Sequence, residues 1–194
     1  LIAVLQGPLM QDGALDDKEK RTGVHVRMLE LPLKNTDAKN TPREFVYTLD
    51  EPSHGLNEII PFAPNKYLVI EKDGKEGEKA RARRIYAIDL SGITDVSRID
   101  HLPATDPLPD NAKPVQKFLL FDMLEPRFGL AGPAMPEKVE GLALGPTLTD
   151  GRRLLIIASD NDFRIAKPGA EDDKRVDQPN RFWAFAIPNS LLSE

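Results

Sequence analysis

Short apolar runs separated by turn residues dominate the hydrophobic pattern of this chain. The segments VHVRMLELPL (24–33), REFVYTLDEP (43–52) and RRIYAIDLSG (83–92) each span about ten residues and stop at or near Gly or Pro. Apolar runs of this kind, rich in β-branched and aromatic residues, are typical of strands. No amphipathic pattern longer than about ten residues indicates a helix. The pattern therefore predicts an all-β fold.

The same pattern predicts the remaining strands and the loops between them. Further predicted strands are LIAVLQGPLM (1–10), LNEIIPF (56–62), KYLVIEKDG (66–74), PVQKFLLFDML (114–124), VEGLAL (139–144), LLIIA (154–158) and RFWAFAI (181–187). A Pro- and Asp-rich segment, 95–114, has the composition of a long connection. Strands that follow one another with short turns favour antiparallel pairing.

The stretch 138–163, KVEGLALGPTLTDGRRLLIIASDNDF, gives the strongest local prediction. Its Asp-Gly turn joins two apolar runs as an antiparallel hairpin. In that hairpin Glu140 lies at the same end as Asp160 and Asn161. Acids at one end of an apolar hairpin need a counter-charge, which is either a bound cation or a basic partner.

An internal repeat relates this hairpin to an earlier one. The segments 57–74 and 139–162 both run from an acid through an apolar strand, a turn and a second apolar strand to an acidic end. This alignment matches Glu58 with Glu140 and places Glu71 near Asp160. Four-stranded units repeated around a channel describe a β-propeller, in which the innermost strands line the channel. A β-sandwich with two similar hairpins is the alternative that the pattern leaves open.

The repeat predicts a metal site formed by oxygen ligands. The residues that it brings to one channel mouth are Glu58, Glu71, Glu140, Asp160 and Asn161. Such ligands suit Ca²⁺, and Mg²⁺ less readily. The alternative is that each acid caps a turn or pairs with a nearby Lys or Arg.

Two lysines beside these acids, Lys72 and Lys138, are candidates for phosphate contacts, or else belong to the solvated surface. Catalytic residues are not indicated. There is no G-x-S-x-G motif, and His25, His54 and His101 lie in separate contexts without metal-ligand spacing.

Composition excludes several classes of function. The 26 basic and 31 acidic residues give a net charge of −5, and no basic stretch is interleaved with aromatics, so no nucleic acid partner is expected. The chain has no cysteine, which excludes disulfides and cysteine-based zinc sites. No apolar run approaches the roughly 18–20 residues of a membrane-spanning helix, so no membrane partner is expected. The start LIAVLQGPL, without Met and within a predicted strand, indicates a piece of a longer chain.

Several motifs together resemble one family. They are LQGPL (5–9), FVYTLD (45–50), the block 57–90 with YLVIEKDG and RRIYAIDL, QKFLLFDM (116–123), and the stretch from KVEGLALGP (138–146) through SDNDF to FWAFAI (182–187). In this order they resemble the phytase-like β-propeller family, also described as "esterase-like activity of phytase". Lys72 is a minor departure, because members carry an arginine or a neutral residue there.

The resemblance implies a six-bladed propeller, of which this chain is the C-terminal portion with about half of the blades. Residues 1–52 would form a partial blade, 55–125 a blade and a connection, and 137–190 another blade, with the N-terminal half of the propeller as their partner. The resemblance further implies a periplasmic or secreted protein. Its expected activity is metal-assisted hydrolysis of a phosphoester in a small phosphorylated or anionic ligand. The alternative is a non-catalytic propeller, stabilised by Ca²⁺, that serves as a binding or structural module.

Overall fold

The computed structural model describes residues 1–33, 41–161 and 179–192, and strands make up nearly all of its regular structure. The strands within these ranges are β1 (Ile2–Val4), β2 (His25–Glu30), β3 (Arg43–Thr48), β4 (His54–Ala63), β5 (Lys66–Asp73), β6 (Arg83–Asp89), β7 (Gln116–Asp122), β8 (Val139–Thr147), β9 (Arg153–Ser159) and β10 (Phe182–Ile187). The helical segments in the described ranges are short 3-10 turns at Met10–Asp12, Gly77–Lys79, Pro126–Phe128 and Asn189–Leu192. The predicted all-β fold is confirmed.

The strands form three antiparallel sheets in which each strand pairs with its neighbour in sequence. The first sheet contains β1, β2 and β3, the second β4 to β7, and the third β8, β9 and β10. The predicted hairpin in 138–163 is confirmed as far as it is described, because β8 pairs with β9 and Val139 lies opposite Ser159. Gly151 in its turn has a φ of 84°, which suits glycine. Residues 162 and 163 lie outside the described ranges.

The first strands of the three sheets lie beside one another. Strand β8 contacts both β4 and β5, and β1 contacts β4. A backbone hydrogen bond of 2.9 Å runs from the N–H of Leu56 in β4 to the carbonyl oxygen of Gln6, just after β1. The three sheets therefore pack in sequence order, with the second between the other two.

Two apolar layers hold the sheets together. Between the first and second sheets lie Val26, Met28, Phe45, Tyr47, Leu56, Val69, Tyr86 and Ile88. Between the second and third lie Leu68, Ile70, Ile85, Ala87, Phe121, Leu142, Leu155 and Ile157. Successive residues of a strand point to opposite faces, so β5 serves both layers. The same alternation sends Glu71 toward the first sheet and Lys72 toward the third.

The predicted long connection between β6 and β7 is also present, and it covers the first sheet. Val96, Leu102 and Ala112 of this connection pack with Val46 of β3 in a smaller buried cluster. No helix among the described residues has the length and apolar character needed to cross a membrane.

Candidate functional site

A cavity of about 620 Å³ opens where β4 begins and β5 ends. Its walls come from the loop after β1, the turn before β4, the end of β5 and Glu137. The lining residues within the described ranges are Gln6, Asp16, Lys20, Arg21, Pro52, Ser53, His54, Gly55, Asn57, Lys72, Asp73, Gly74, Lys75 and Glu137. Four of these described residues are basic, namely Lys20, Arg21, Lys72 and Lys75. Three acids, Asp16, Asp73 and Glu137, are also among the described lining residues, so the basic residues outnumber the acidic ones by one.

Two of the acids that line the cavity are already used by hydrogen bonds within the protein. Asp16 accepts from the backbone N–H groups of Lys20, at 2.9 Å, and Lys18, at 2.8 Å, and these bonds lower the pKa of its carboxyl. Asp73 pairs with the buried Arg83 at 2.8 Å and accepts three backbone N–H groups. Because these two carboxylates already accept hydrogen bonds within the protein, they compete only weakly with a bound anion for the basic side chains of the cavity.

Lys72 is the most buried of the four cations, with only 5% of its side chain exposed. Its Nζ lies 3.7 Å from Oε1 of Glu140. Burial lowers the pKa of the Lys72 ammonium, and the charge of Glu140 partly opposes this effect. Glu140, for which the sequence demanded a counter-charge, thus has a basic partner in the second sheet.

Asn57 bridges the same pair of sheets and carries an unsatisfied polar atom. Its Nδ2 donates to Oε1 of Glu140 at 3.2 Å. Its Oδ1 is buried and has no hydrogen-bond partner among the described residues. A buried carbonyl oxygen without a partner normally carries a large desolvation cost, which a hydrogen-bond donor or a cation beside it would relieve.

The two hairpins that form the internal repeat each contain a break in strand pairing. Aligning the hairpins by these breaks gives a match that differs by one residue from the match predicted from the sequence. The register between β4 and β5 breaks at Asn57, and that between β8 and β9 breaks at Glu140. Superimposing the two breaks matches Asn57, rather than Glu58, with Glu140. The sequence alignment matched one acid with the other, whereas the extra residue of each hairpin is Asn57 in one and Glu140 in the other.

On the other face of β5, Glu71 lies in a separate buried network. Its carboxylate has no exposed surface and accepts four hydrogen bonds from residues in the described ranges. The donors are Tyr47 Oη at 2.8 Å, the backbone N–H of Asp50 at 2.8 Å, His54 Nδ1 at 2.8 Å and Lys117 Nζ at 3.0 Å. Four donors use the acceptor positions of a carboxylate, which leaves none for a metal ion.

The network continues outward through Asp50. This carboxylate accepts from Lys117 at 2.5 Å and from the Tyr86 hydroxyl at 2.6 Å, and it also pairs with Arg84. The Lys117 ammonium lies over the rings of Tyr47 and Tyr86, at 4.9 and 4.5 Å from their centroids. Both carboxylates therefore have protein cations as counter-charges.

The pKa values of these two carboxylates follow from this environment. Burial raises the pKa of Asp50, but hydrogen bonds from Lys117 and Tyr86 outweigh it and lower the value to about 2. Burial also raises the pKa of Glu71, but the hydrogen bond from His54 and the charge of Lys117 bring it below its usual range. Both groups are ionised at neutral pH.

The structure separates the predicted metal ligands. Glu71 and Glu140 lie on opposite sides of the second sheet, with different partners. Glu58 accepts the backbone N–H of Ile59 at 2.9 Å, and Asp160 donates its own backbone N–H to the carbonyl oxygen of Lys138 at 2.9 Å. Asn161 is the last described residue of this end of the hairpin. Of the two predicted phosphate contacts, Lys72 lines the cavity and Lys138 is not among its described lining residues.

Two groupings of residues can be tested as metal sites. One ligand atom from each of Asp50, His54 and Glu71 lies within 4.8 Å of the others. The Lys117 ammonium already bonds to both carboxylates, however, so this group does not fit a cation. Glu140 and Asn57 supply a carboxylate and a carbonyl, which are ligand types that Ca²⁺ accepts. Lys72 lies 3.7 Å from Glu140, beyond hydrogen-bond distance, so it occupies this carboxylate less fully than Lys117 occupies Glu71 and Asp50.

Sequence reasoning missed the residues that complete the cavity and the network, above all Lys20, Arg21, His54 and Lys117. A signal for His54 was present, because the antiparallel pairing of β4 with β5 places Leu56 opposite Glu71 and brings His54 near it. Lys117 gave no such signal, because it comes from β7, 46 residues away in sequence.

Three antiparallel sheets, stacked in sequence order and carrying a basic cavity at one end, define an all-β protein with a candidate anion site. The family model "Phytase-like: Esterase-like activity of phytase" matches residues 1–163. The chain belongs to this family. The comparisons with curated proteins and with solved structures gave no match.

Proposed function

We propose that this protein binds a small phosphorylated molecule in the basic cavity and hydrolyses its phosphoester. The observation that carries the proposal is the convergence of Lys20, Arg21, Lys72 and Lys75 on one space of about 620 Å³. A cavity of this volume is in the range of small-molecule sites. Membership in the phytase-like family supports the same class of reaction.

Lys72 is the cation that we expect to contribute most to phosphate binding. Its side chain is nearly buried, so a hydrogen bond to a phosphate oxygen forms where water screens the charges little. Lys20, Arg21 and Lys75 would complete the contacts from the loops. Charge-assisted bonds of this kind both bind the phosphate and stabilise negative charge on its oxygens during transfer.

We also propose Ca²⁺ beside the cavity, held by Glu140 and Asn57. When bound, the ion would act as a Lewis acid toward a phosphate oxygen. Glu140 and Asn57 lie within hydrogen-bond distance of one another, and Glu140 also pairs with Lys72. The proposed Ca²⁺ ligands therefore lie close to Lys72, which is the proposed phosphate-binding residue. Asp160 and Asn161, at the end of the same hairpin, remain proposed further ligands.

The three sheets are, in this proposal, consecutive blades of a six-bladed β-propeller. The adjacent first strands β1, β4 and β8 support an arrangement around a common axis. We further propose export to the periplasm or the medium. An experimental structure of the complete polypeptide tests the ring, and cell fractionation tests the location.

A second candidate function is a non-catalytic binding or structural module. The Glu71 network favours it, because Tyr47 from the first sheet, Asp50 from the turn that follows this sheet, and Lys117 from the second sheet join the two sheets through satisfied polar contacts. In this case the cavity would bind an anion without turnover.

Phosphate release from p-nitrophenyl phosphate and from phytate, with added Ca²⁺ or with EGTA, tests the proposal. We expect release by the purified protein and a fall in rate on chelation. Lys72→Met should lower kcat/KM about 10- to 100-fold, since a hydrogen bond to a charged group contributes about 1.5–3 kcal/mol. The matched control Lys79→Met removes an exposed lysine outside the cavity lining and should leave the rate unchanged.

Each result has a distinct meaning. Absence of phosphate release contradicts the hydrolase and favours the binding module. Turnover that EGTA leaves unchanged contradicts the calcium part alone. Equal kcat/KM for the wild type and Lys72→Met contradicts the assignment of the cavity.

A further inference from the structure

His54 is held at the wall of the cavity by a buried carboxylate. It is 6% exposed, and its Nδ1 lies 2.8 Å from Oε1 of Glu71. Because Glu71 is ionised, Nδ1 carries a proton and donates a hydrogen bond to the carboxylate. In the neutral imidazole with this tautomer, the lone pair belongs to the other ring nitrogen, Nε2.

His54 is one of the residues that line the cavity. No hydrogen bond from Nε2 is formed within the described ranges of the chain, and His54 lines the cavity. The buried side-chain atoms without a partner in those ranges are Asn57 Oδ1 and Arg153 Nε, so Nε2 is not enclosed. His54 therefore brings a ring nitrogen with no partner among the described residues to the wall of the space where the phosphoester is proposed to bind.

Glu71 cannot turn away from His54 without losing other bonds. Its second oxygen, Oε2, accepts from Tyr47 and Lys117, and Oε1 also accepts the backbone N–H of Asp50. This bracing fixes the carboxylate, and the carboxylate fixes the imidazole. A base oriented by a third group is the arrangement that proton-transfer sites use.

We propose that His54 is the general base of the hydrolysis and that Glu71 is its positioning residue. This inference rests on the proposed function and adds to it the group that moves the proton. Nε2 takes one proton from the attacking water as the water oxygen forms its bond to phosphorus. The bond between phosphorus and the ester oxygen breaks on the opposite side of phosphorus, that oxygen takes a proton from solvent, and the imidazolium releases its proton to solvent. The alcohol and inorganic phosphate leave, and neutral His54 is restored.

The test measures kcat and KM for p-nitrophenyl phosphate in the wild type and in His54→Ala and His54→Gln. We expect kcat to fall about 100-fold or more, as for loss of a general base, with KM changed less than about threefold. Imidazole added to the assay should restore part of the rate in His54→Ala, because it can occupy the space left by the side chain. His54→Gln keeps the volume filled and should show no rescue.

Two further variants separate positioning and folding from proton transfer. Glu71→Gln should lower kcat with little change in KM, since the imidazole is then held less firmly. His25→Gln replaces another buried histidine, one that bonds to Thr48 and Asp106 and is not among the described cavity residues. It should leave kcat unchanged. Urea unfolding shows which variants are folded. If His54→Ala does not fold, the kcat of His54→Gln tests whether His54 is the base.

The outcomes distinguish this inference from the proposed function. If the wild type is active and folded His54→Gln matches its kcat, His54 is not the base, and the proposed function stands. If the wild type releases no phosphate from any ester, the proposed function fails, and the role of His54 fails with it. A loss of kcat without imidazole rescue in folded His54→Ala also overturns the role of a base.

Discussion

At the scale of single residues, Glu71 shows how a buried charge is tolerated in this protein. Its carboxylate has no exposed surface, yet four donors surround it and the Lys117 ammonium provides the opposite charge. Burying an unpaired carboxylate would be strongly unfavourable. The bonds to Glu71 therefore serve the stability of the interface between the first two sheets as well as the orientation of His54.

Lys117→Met should destabilise the protein by about 3–5 kcal/mol. The substitution leaves Glu71 buried with its charge uncompensated, and removal of one partner of a buried pair has effects of this size. Urea unfolding of Lys113→Met, in which an exposed lysine is changed, should differ from the wild type by less than about 0.5 kcal/mol. Equal stabilities for the two variants would show that Glu71 does not depend on Lys117.

Acid should destabilise the protein through the same residues. The folded-state pKa of Asp50 is lowered from 3.8 to about 2, and that of Glu71 is lowered from 4.5. A lowered pKa stabilises the fold above the unfolded value and loses that contribution as the pH falls through the folded value. The free energy of unfolding should therefore decline from about pH 4.5 toward pH 2. Asp50→Asn should make this decline shallower, and an unchanged slope would contradict the assignment.

At the scale of elements, the hairpins are defined by their turns and by the breaks in their registers. The turn between β8 and β9 needs a residue with positive φ, and Gly151 provides it at 84°. The breaks at Asn57 and Glu140 turn these two side chains toward one another. Local backbone irregularity thus builds one side of the candidate metal site.

Gly151→Ala should destabilise the hairpin by about 1–2 kcal/mol, because an L-residue with a Cβ is strained at positive φ. Apart from the adjacent residues, no heavy atom of the described part of the chain lies within 4 Å of a Cβ at this position, so the expected effect is conformational rather than steric. Gly151→Asn is the matched variant and should be affected less, since Asn tolerates this region. If thermal unfolding gives Gly151→Ala the same stability as the wild type, the prediction of a strained turn is contradicted.

At the scale of the whole molecule, the sheets are held by face-to-face packing. Phe121 of β7, Phe128 and Phe185 of β10 form an aromatic cluster between the second and third sheets. The ring centroids of Phe121 and Phe185 lie 4.8 Å apart. Buried aromatic contacts of this kind contribute strongly to packing and would tie the two sheets into one cooperative unit.

Phe121→Ala should lower the free energy of unfolding by about 3–5 kcal/mol, because it leaves a cavity between two sheets. Phe118→Ala offers a control in the same strand, since Phe118 is 60% exposed. Its effect should stay within about 0.5 kcal/mol. Similar losses for both variants, measured by urea unfolding, would contradict the proposed packing between the sheets.

The sequence by itself determined the strands, their antiparallel order and the main turn, because these depend on local periodicity and turn residues. It also predicted that Glu140 needs a counter-charge, since an acid within an apolar hairpin cannot remain unpaired. The sequence also placed Lys72 near the acids, because Lys72 directly follows Glu71.

Only the tertiary structure decided which side chains meet. Glu71 and Lys72 are adjacent in sequence, but strand alternation sends them to opposite faces of the second sheet, toward different partners. The register breaks lie at Asn57 in one hairpin and at Glu140 in the other, so the residue that corresponds to Glu140 is Asn57 and not Glu58. The Lys117 ammonium, brought from β7, took the place that a cation was expected to fill beside Glu71. Such pairings depend on register and on contacts between distant strands, which no local pattern encodes.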